Sequence, residues 1–313
     1  MKNFKRIVAV ILALTCALAL FTGCQKAEPE VAPKIFAISG PTGVGMVHLM
    51  NDYDITLSSA PEEVVGKVAN GEADIAAVPT NVASTLYKKL GGELKVLCVN
   101  TLGVLYIMDK DGSIKNFADL DGKTIYTMGE GSNPQYTLEY LLEKNNVQAT
   151  LKFAATNDEL VAKMASGEAE IAMVPQPAAT TAAAKTGFKI ALDVTAEWDK
   201  VSTDSKLMMG CIIVRNEYLE ANPKTVEQFL ADYKASIEAV NADVPAAAAL
   251  CEQYKIIPAA AVAEKAIPKC NIVYMEGADM KSGLEGYLKV LFDANPASIG
   301  GAMPAADFYY GVQ

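Results

Sequence analysis

Glu63-Val64-Val65-Gly66-Lys67-Val68-Ala69-Asn70-Gly71-Glu72-Ala73-Asp74-Ile75-Ala76-Ala77-Val78-Pro79 is matched later in the chain by Glu159-Leu160-Val161-Ala162-Lys163-Met164-Ala165-Ser166-Gly167-Glu168-Ala169-Glu170-Ile171-Ala172-Met173-Val174-Pro175. Most positions are identical or similar. Each copy reads as an amphipathic helix, a glycine stop, a short buried strand and a proline. Two copies of one unit imply two lobes of like topology.

Working outward, the same order of elements surrounds each copy. Lys34 to Ile38 is a short apolar strand, followed by a tight turn at Ser39-Gly40-Pro41-Thr42-Gly43. Met46, Leu49, Met50 and Tyr53 form one helical stripe. Ile55 to Leu57 is a strand, and Ser59 with Glu62 has capping-box spacing before the first copy. In the second half, Thr124 to Met128 is a strand and Gly129 to Asn133 a loop. Pro134 suits a first helical turn, Leu151 to Phe153 is a strand, and Thr156 with Glu159 repeats the capping-box spacing. This alternation predicts a mainly parallel sheet flanked by helices in each lobe. The polar stretch Asp109 to Gly122 is where the chain is expected to cross into the second lobe, and Met208 to Val214 is the expected return strand. A helix follows with Val226, Phe229, Leu230, Tyr233, Ile237 and Val240 on one side. The remainder, through Pro245, Pro258 and Pro268, reads as short helices on lobe one.

The N-terminus carries Lys2, Lys5 and Arg6, then an uncharged run from Ile7 to Leu20 with signal-peptide proportions. Phe21-Thr22-Gly23-Cys24 resembles the lipobox of a bacterial lipoprotein signal, in which the cysteine becomes the lipidated N-terminus. The expected organisation is a signal peptide at 1–23, a lipidated Cys24 with a tether to residue 33, lobe one from 34–108 plus 212–313, and lobe two from 109–211. The expected location is the extracytoplasmic face of the cell membrane, lipid-anchored.

The formal net charge is −10 at pH 7, and it becomes more negative once the cationic N-terminus is removed. That balance argues against a nucleic-acid partner. With one histidine among the 313 residues and no C-x-x-C pair, a metal site is not expected. Cys98 and Cys211 lie in apolar runs that suit buried thiols, and Cys251 and Cys270 could bridge only if the fold brings them together. His48 points away from the helical stripe toward a partly exposed position. Trp198 lies in a polar stretch, either as an aromatic wall of a cleft or packed under a loop.

Ligands of open parallel sheets sit beyond the carboxyl ends of the strands, at helix N-termini. Four loops qualify. Lobe one supplies Ser39, Gly40, Thr42, Gly43 and Val44, and then Thr80 and Asn81 after Pro79. Lobe two supplies Gly131, Ser132, Asn133 and Pro134, and then Gln176 between Pro175 and Pro177. Thr101 joins them beside the hinge candidates Thr101-Leu102-Gly103 and Met209-Gly210. Ser132, Asn133 and Thr80 also fit the role of helix caps. Gly40 to Gly45 fails the nucleotide-loop pattern, because Met46 stands where a Walker lysine belongs. The loops contain neither Arg nor Lys, so they suit a neutral or weakly anionic organic solute.

Asn116-Phe117-Ala118-Asp119-Leu120-Asp121-Gly122-Lys123, Gly131-Ser132-Asn133-Pro134, the two repeats, and Val214 to Pro223 together resemble the type II periplasmic-binding-protein-like family of ABC-importer substrate-binding proteins. The resemblance is nearest to the branch of nitrate, sulfonate and taurine binders and thiamine-pyrimidine-precursor (NMT1/THI5-like) binders, and covers nearly all of residues 34–313. It implies two lobes joined by two hinge crossovers, a monomer without cofactor, a small solute held in the cleft, and delivery to an ABC permease. The alternative is a small-molecule enzyme on the same fold, of pyrimidine- or menaquinone-precursor type. The pyrimidine-forming kind needs a histidine and cysteine cluster that this chain lacks.

Overall fold

The computed structural model describes residues 31–58, 61–203 and 205–312. The signal segment, the lipobox and Cys24 lie outside the described residues, as does Ser59 of the first capping pair. Residues 32–313 form one compact unit. No helix among the described residues is long and apolar enough to cross a membrane.

The first sheet holds β1 (Lys34–Ile38), β2 (Asp54–Ser58), β3 (Ile75–Pro79), β4 (Leu94–Thr101), β10 (Gly210–Arg215) and β11 (Ile272–Met275), in the order β11-β4-β10-β3-β1-β2. The second holds β5 (Leu105–Asp109), β6 (Thr124–Met128), β7 (Thr150–Ala154), β8 (Ile171–Pro175) and β9 (Lys189–Asp193), in the order β7-β6-β8-β5-β9. The two orders correspond: β2-β1-β3-β10-β4 matches β7-β6-β8-β5-β9. The inserted strand is antiparallel to both its neighbours in each sheet, β10 against β3 and β4, and β5 against β8 and β9. Each is the first strand after the chain changes sheet. The architecture is therefore two-lobed α/β, as the repeat predicts, with crossovers at Leu102–Val104 and at Ser202–Met209.

One strand differs from expectation. Leu105 to Met108 falls in the stretch assigned to the first lobe, yet β5 pairs with β8 and β9 in the second sheet. All five β5 residues are buried, and the short apolar run Leu105 to Met108 carries no signal of which sheet it joins. The crossing thus precedes the polar segment Asp109–Gly122.

A second difference concerns the stripe from Met46 to Tyr53. It does not form one helix. The chain makes a single short turn, α1 (Pro41–Val44), then a 3-10 turn at Val47–Leu49. Met46, Val47 and Leu49 are still buried, so the apolar pattern is used without the helix. His48 is partly buried, as its position suggests.

The repeats form α2 (Pro61–Ala69) with β3 and α5 (Asn157–Ser166) with β8. Gly71 and Gly167 end the two segments in left-handed conformation, at φ 76° and 81°, where a Cβ would be strained. Lys67 pairs with Glu72 at 2.5 Å and Lys163 with Glu168 at 2.9 Å, the same contact in both copies. Glu72 and Glu168 are half exposed, so these repeat carboxylates hold scaffold. Thr156 caps α5 as predicted, its hydroxyl accepting from the Glu159 N–H while Glu159 accepts from the Ala155 N–H.

After β10 come α8 (Asn216–Ala221), α9 (Pro223–Ala242), α10 (Val244–Gln253), α11 (Ala260–Ala266) and α12 (Gly277–Ala294). The six apolar residues expected on one side of α9 are all buried. The final helix is long and does more than close the first lobe. It packs against α3 (Thr80–Lys89) and α4 (Asn133–Lys144), and Asn295 just beyond it donates to the Tyr136 hydroxyl at 2.7 Å. Tyr287 of α12 meets Trp198 of α7 (Val194–Val201) at a ring separation of 5.6 Å. One apolar core accordingly runs through both sheets. Cys98, Cys211, Cys251 and Cys270 are all free and buried. Burial pushes the Cys251 and Cys270 thiols up to about 12, and no disulfide forms between them.

Candidate functional site

The carboxyl ends of the parallel strands in both sheets point at a shared cavity of about 520 Å³. Its wall is built from loops that leave strands and enter helices. β1 leads through Ser39, Gly40, Pro41 and Thr42 into α1, and β3 through Pro79 into α3, which contributes Asn81 and Val82. From the second sheet, Met128, Ser132, Asn133 and Pro134 lead from β6 into α4, and Pro175, Gln176 and Pro177 lead from β8 into α6 (Ala178–Thr186). Thr101 at the end of β4, with Val104 and Met209 of the crossovers, also lines it.

Of the residues predicted from sequence, Ser39, Gly40, Thr42, Asn81, Thr101, Ser132, Asn133, Pro134 and Gln176 line this cavity. Gly43, Val44, Thr80 and Gly131 do not. Gly43 and Val44 turn inward as the buried part of α1. Gly131 is exposed, with its N–H donating to Gln135 Oε1 at 2.7 Å. Thr80 is fully buried, and its hydroxyl donates to the Met208 carbonyl at 2.7 Å. It ties α3 to the returning crossover instead of facing the cavity. Replacing it by valine leaves that buried carbonyl unpaired, so Thr80→Val is expected to lower stability by about 1–2 kcal/mol in urea unfolding.

Ser132 is not a helix cap in the expected sense. It sits at the N-cap position of α4, but its hydroxyl donates to the Gly129 carbonyl at 2.7 Å and receives no helix N–H. Asn133 is 4% exposed and its Oδ1 has no partner. Gln176 is 2% exposed. Its Oε1 accepts from the Thr180 N–H at 3.3 Å and the Thr180 hydroxyl at 2.8 Å, which fixes the amide orientation and leaves Nε2 without a partner. Trp198 plays no part in the wall. It is fully buried against Tyr140 and Tyr287, its Nε1–H donating to Ser205.

Sequence reasoning missed Pro61, Glu62 and Asn157, which also line the cavity. The repeat contained the signal: Pro61 and Asn157 occupy matching positions at the starts of α2 and α5, so a third pair of loops faces the same space. The repeat relation also governs the backbone. Thr80 donates its N–H to the Met209 carbonyl at 3.2 Å, and its counterpart Gln176 donates to the Val104 carbonyl at 2.9 Å. In each lobe the residue after the strand-ending proline is fastened to a crossover.

The wall is mostly apolar, with Ile38, Val82, Val104, Met128, Met209 and six prolines. Glu62 is its one ionisable side chain. The starts of α3, α4, α5 and α6 supply backbone N–H groups that lack intrahelical acceptors. The arrangement suits reversible enclosure of a molecule with an apolar body and a few polar atoms.

No curated protein matches the sequence. The fold is shared with solved structures at low identity. An ABC transporter from Parabacteroides distasonis is 21% identical with a TM-score of 0.78, the match covering 90% of this chain and 99% of that one. A periplasmic aliphatic sulphonate binding protein from Escherichia coli is 17% identical with a TM-score of 0.68, covering 89% and 93%. An alkanesulfonate-binding protein from Xanthomonas axonopodis, bound to MOPS, is 14% identical with a TM-score of 0.63, covering 88% and 96%. The profile of the family described as NMT1/THI5 like matches residues 52–248. With that match spanning more than half of the sequence, and two sheets of matching strand order around one cavity, the chain belongs to the NMT1/THI5-like family and carries the two-lobed, type II periplasmic-binding-protein-like fold.

Proposed function

We propose that this protein captures a small organic solute, neutral or weakly anionic, in the cavity between its lobes and delivers it to the permease of an ABC importer. The observation that carries this reading is a cavity walled by loops of both sheets in which Asn133 Oδ1, Asn157 Oδ1 and Gln176 Nε2 lack any partner. Buried polar atoms without partners are costly, and a bound solute that pairs them removes that cost. These three atoms all belong to the second lobe, and the first lobe faces them across the cavity with Ser39, Thr42, Pro79 and Asn81, so a solute that touches both walls favours the closed arrangement through differential affinity. Family membership and the importer components among the similar structures support the same reading.

In this proposal residues 34–104 with 210–313 act largely as one lobe and 105–209 as the other, hinged at the two crossovers. Cleavage before Cys24 and lipidation there hold the monomer on the extracytoplasmic face of the membrane. The protein binds without chemical change to its solute and needs no cofactor. Native mass spectrometry of the purified protein is expected to reveal a one-to-one complex whose ligand mass is that of the free compound. Its addition is expected to raise Tm, and Asn133→Ala to weaken binding about tenfold. Turnover of the bound compound would overturn the proposal.

A further inference from the structure

The polar groups around the cavity restrict the solute more narrowly than its size does. Thr42 spends its hydroxyl hydrogen on the Ile38 carbonyl at 3.0 Å, Ser132 on the Gly129 carbonyl at 2.7 Å, and Thr101 on Asn100 Oδ1 at 3.0 Å. These three hydroxyls can offer the cavity only acceptor lone pairs. Asn133 and Asn157 add amide oxygens without partners, and Glu62 adds a carboxylate. Gln176 Nε2 is a committed donor, because Thr180 holds the other end of that amide, and the Asn133 and Asn157 amides carry NH2 donors beside their oxygens.

Full charge on the solute is opposed in both directions. An anion would meet a carboxylate, unpaired amide oxygens and hydroxyl lone pairs beside the helix N-termini, with no Lys or Arg in the wall to offset its desolvation. A cation would meet the positive ends of α3, α4, α5 and α6. An uncharged group bearing both a donor and an acceptor satisfies the set: its N–H serves the asparagine oxygens and its carbonyl receives Gln176 Nε2. We propose that the cleft solute is an uncharged carboxamide-type compound, open-chain or lactam, with an apolar body seated against the prolines and methionines. This rests on the reading of the cavity as the solute site.

The test uses three probes that share one ring and differ in head group: benzamide, benzoate and benzenesulfonate. Affinities are measured on the purified protein by calorimetry at low and high salt. Benzamide is expected to bind at least about tenfold more tightly than either anion, with no salt dependence. Asn133→Asp keeps the oxygen acceptor and is expected to retain benzamide, whereas Asn133→Leu and Gln176→Glu are each expected to weaken it about tenfold. The two acidic variants are near-isosteric, so they report on binding even where leucine disturbs folding. Preference for benzoate or benzenesulfonate, or no binding of benzamide at millimolar concentration, overturns the assignment of class. If an anion binds and Asn133→Asp abolishes it, the cavity reading stands and only the class falls. If benzamide binds and all three variants leave it unchanged, the cavity reading itself falls.

Discussion

Trp198→Ala is expected to destabilise the protein by about 3–5 kcal/mol, the usual loss for a fully buried large aromatic. Trp198 is 0% exposed. Its ring lies 4.5 Å from that of Tyr140 on α4 and 5.6 Å from that of Tyr287 on α12. The indole N–H donates to the Ser205 hydroxyl at 3.2 Å, on the crossover that returns to the first sheet. Removing the ring therefore opens a void where α4, α7, α12 and a crossover meet, and takes one donor from the Ser205 hydroxyl, which keeps its contact with the Ser202 hydroxyl at 2.6 Å. Since a domain is stable by only about 5–15 kcal/mol, the change consumes a large share of the total. Urea unfolding with a fixed m-value is the measurement. Trp198→Phe, which keeps most of the ring but loses the N–H, is expected to cost about half as much. A loss below about 1 kcal/mol for alanine would show that α12 and α7 are not coupled through this cluster.

Gly210→Ala is expected to cost about 1–3 kcal/mol by overpacking, and to weaken solute binding as well. Gly210 opens β10 at the return crossover, and its backbone is not in the left-handed region, so alanine suits its φ. Space is what it lacks. A Cβ there would stand 2.6 Å from Asn100 Oδ1, 2.7 Å from Thr42 Cγ2 and 3.0 Å from Thr101 Cβ. Thr42 and Thr101 line the cavity, so relief of the clash moves its wall. Gly66 in α2 is the matched control: a Cβ there meets nothing within 4 Å, and Gly66→Ala is expected to gain about 0.5–1 kcal/mol from helix propensity. Equal effects at the two positions in thermal and chemical unfolding would exclude the packing explanation.

The repeated segment made the two lobes legible because helix periodicity, the left-handed glycine stop and the buried run are local signals. Capping by Thr156 was readable for the same reason, since donor and acceptor lie three residues apart. The stripe at Met46, Leu49, Met50 and Tyr53 misled, because burial of Met46 and Leu49 is met by a turn and a 3-10 segment packed on α9, where Ser236 donates to the Gly45 carbonyl at 2.6 Å, while Met50 and Tyr53 stay partly exposed. β5 misled because its four buried apolar residues, Leu105 to Met108, fit either sheet equally well. Pro61, Glu62 and Asn157 were missed although the repeat places two of them at matching positions.

Thr80 and Gln176 divide what each level decided. By themselves the residues determine a strand, a proline and a helix start at both positions, and hence two loops of like backbone. Only the tertiary structure decides that the Thr80 hydroxyl is consumed by the Met208 carbonyl while Gln176 Nε2 is left without a partner. Local elements arise from neighbours along the chain, but a polar atom's partner is set by which distant segment folds against it. Met208 is 128 residues from Thr80, and no pattern within either loop encodes that meeting.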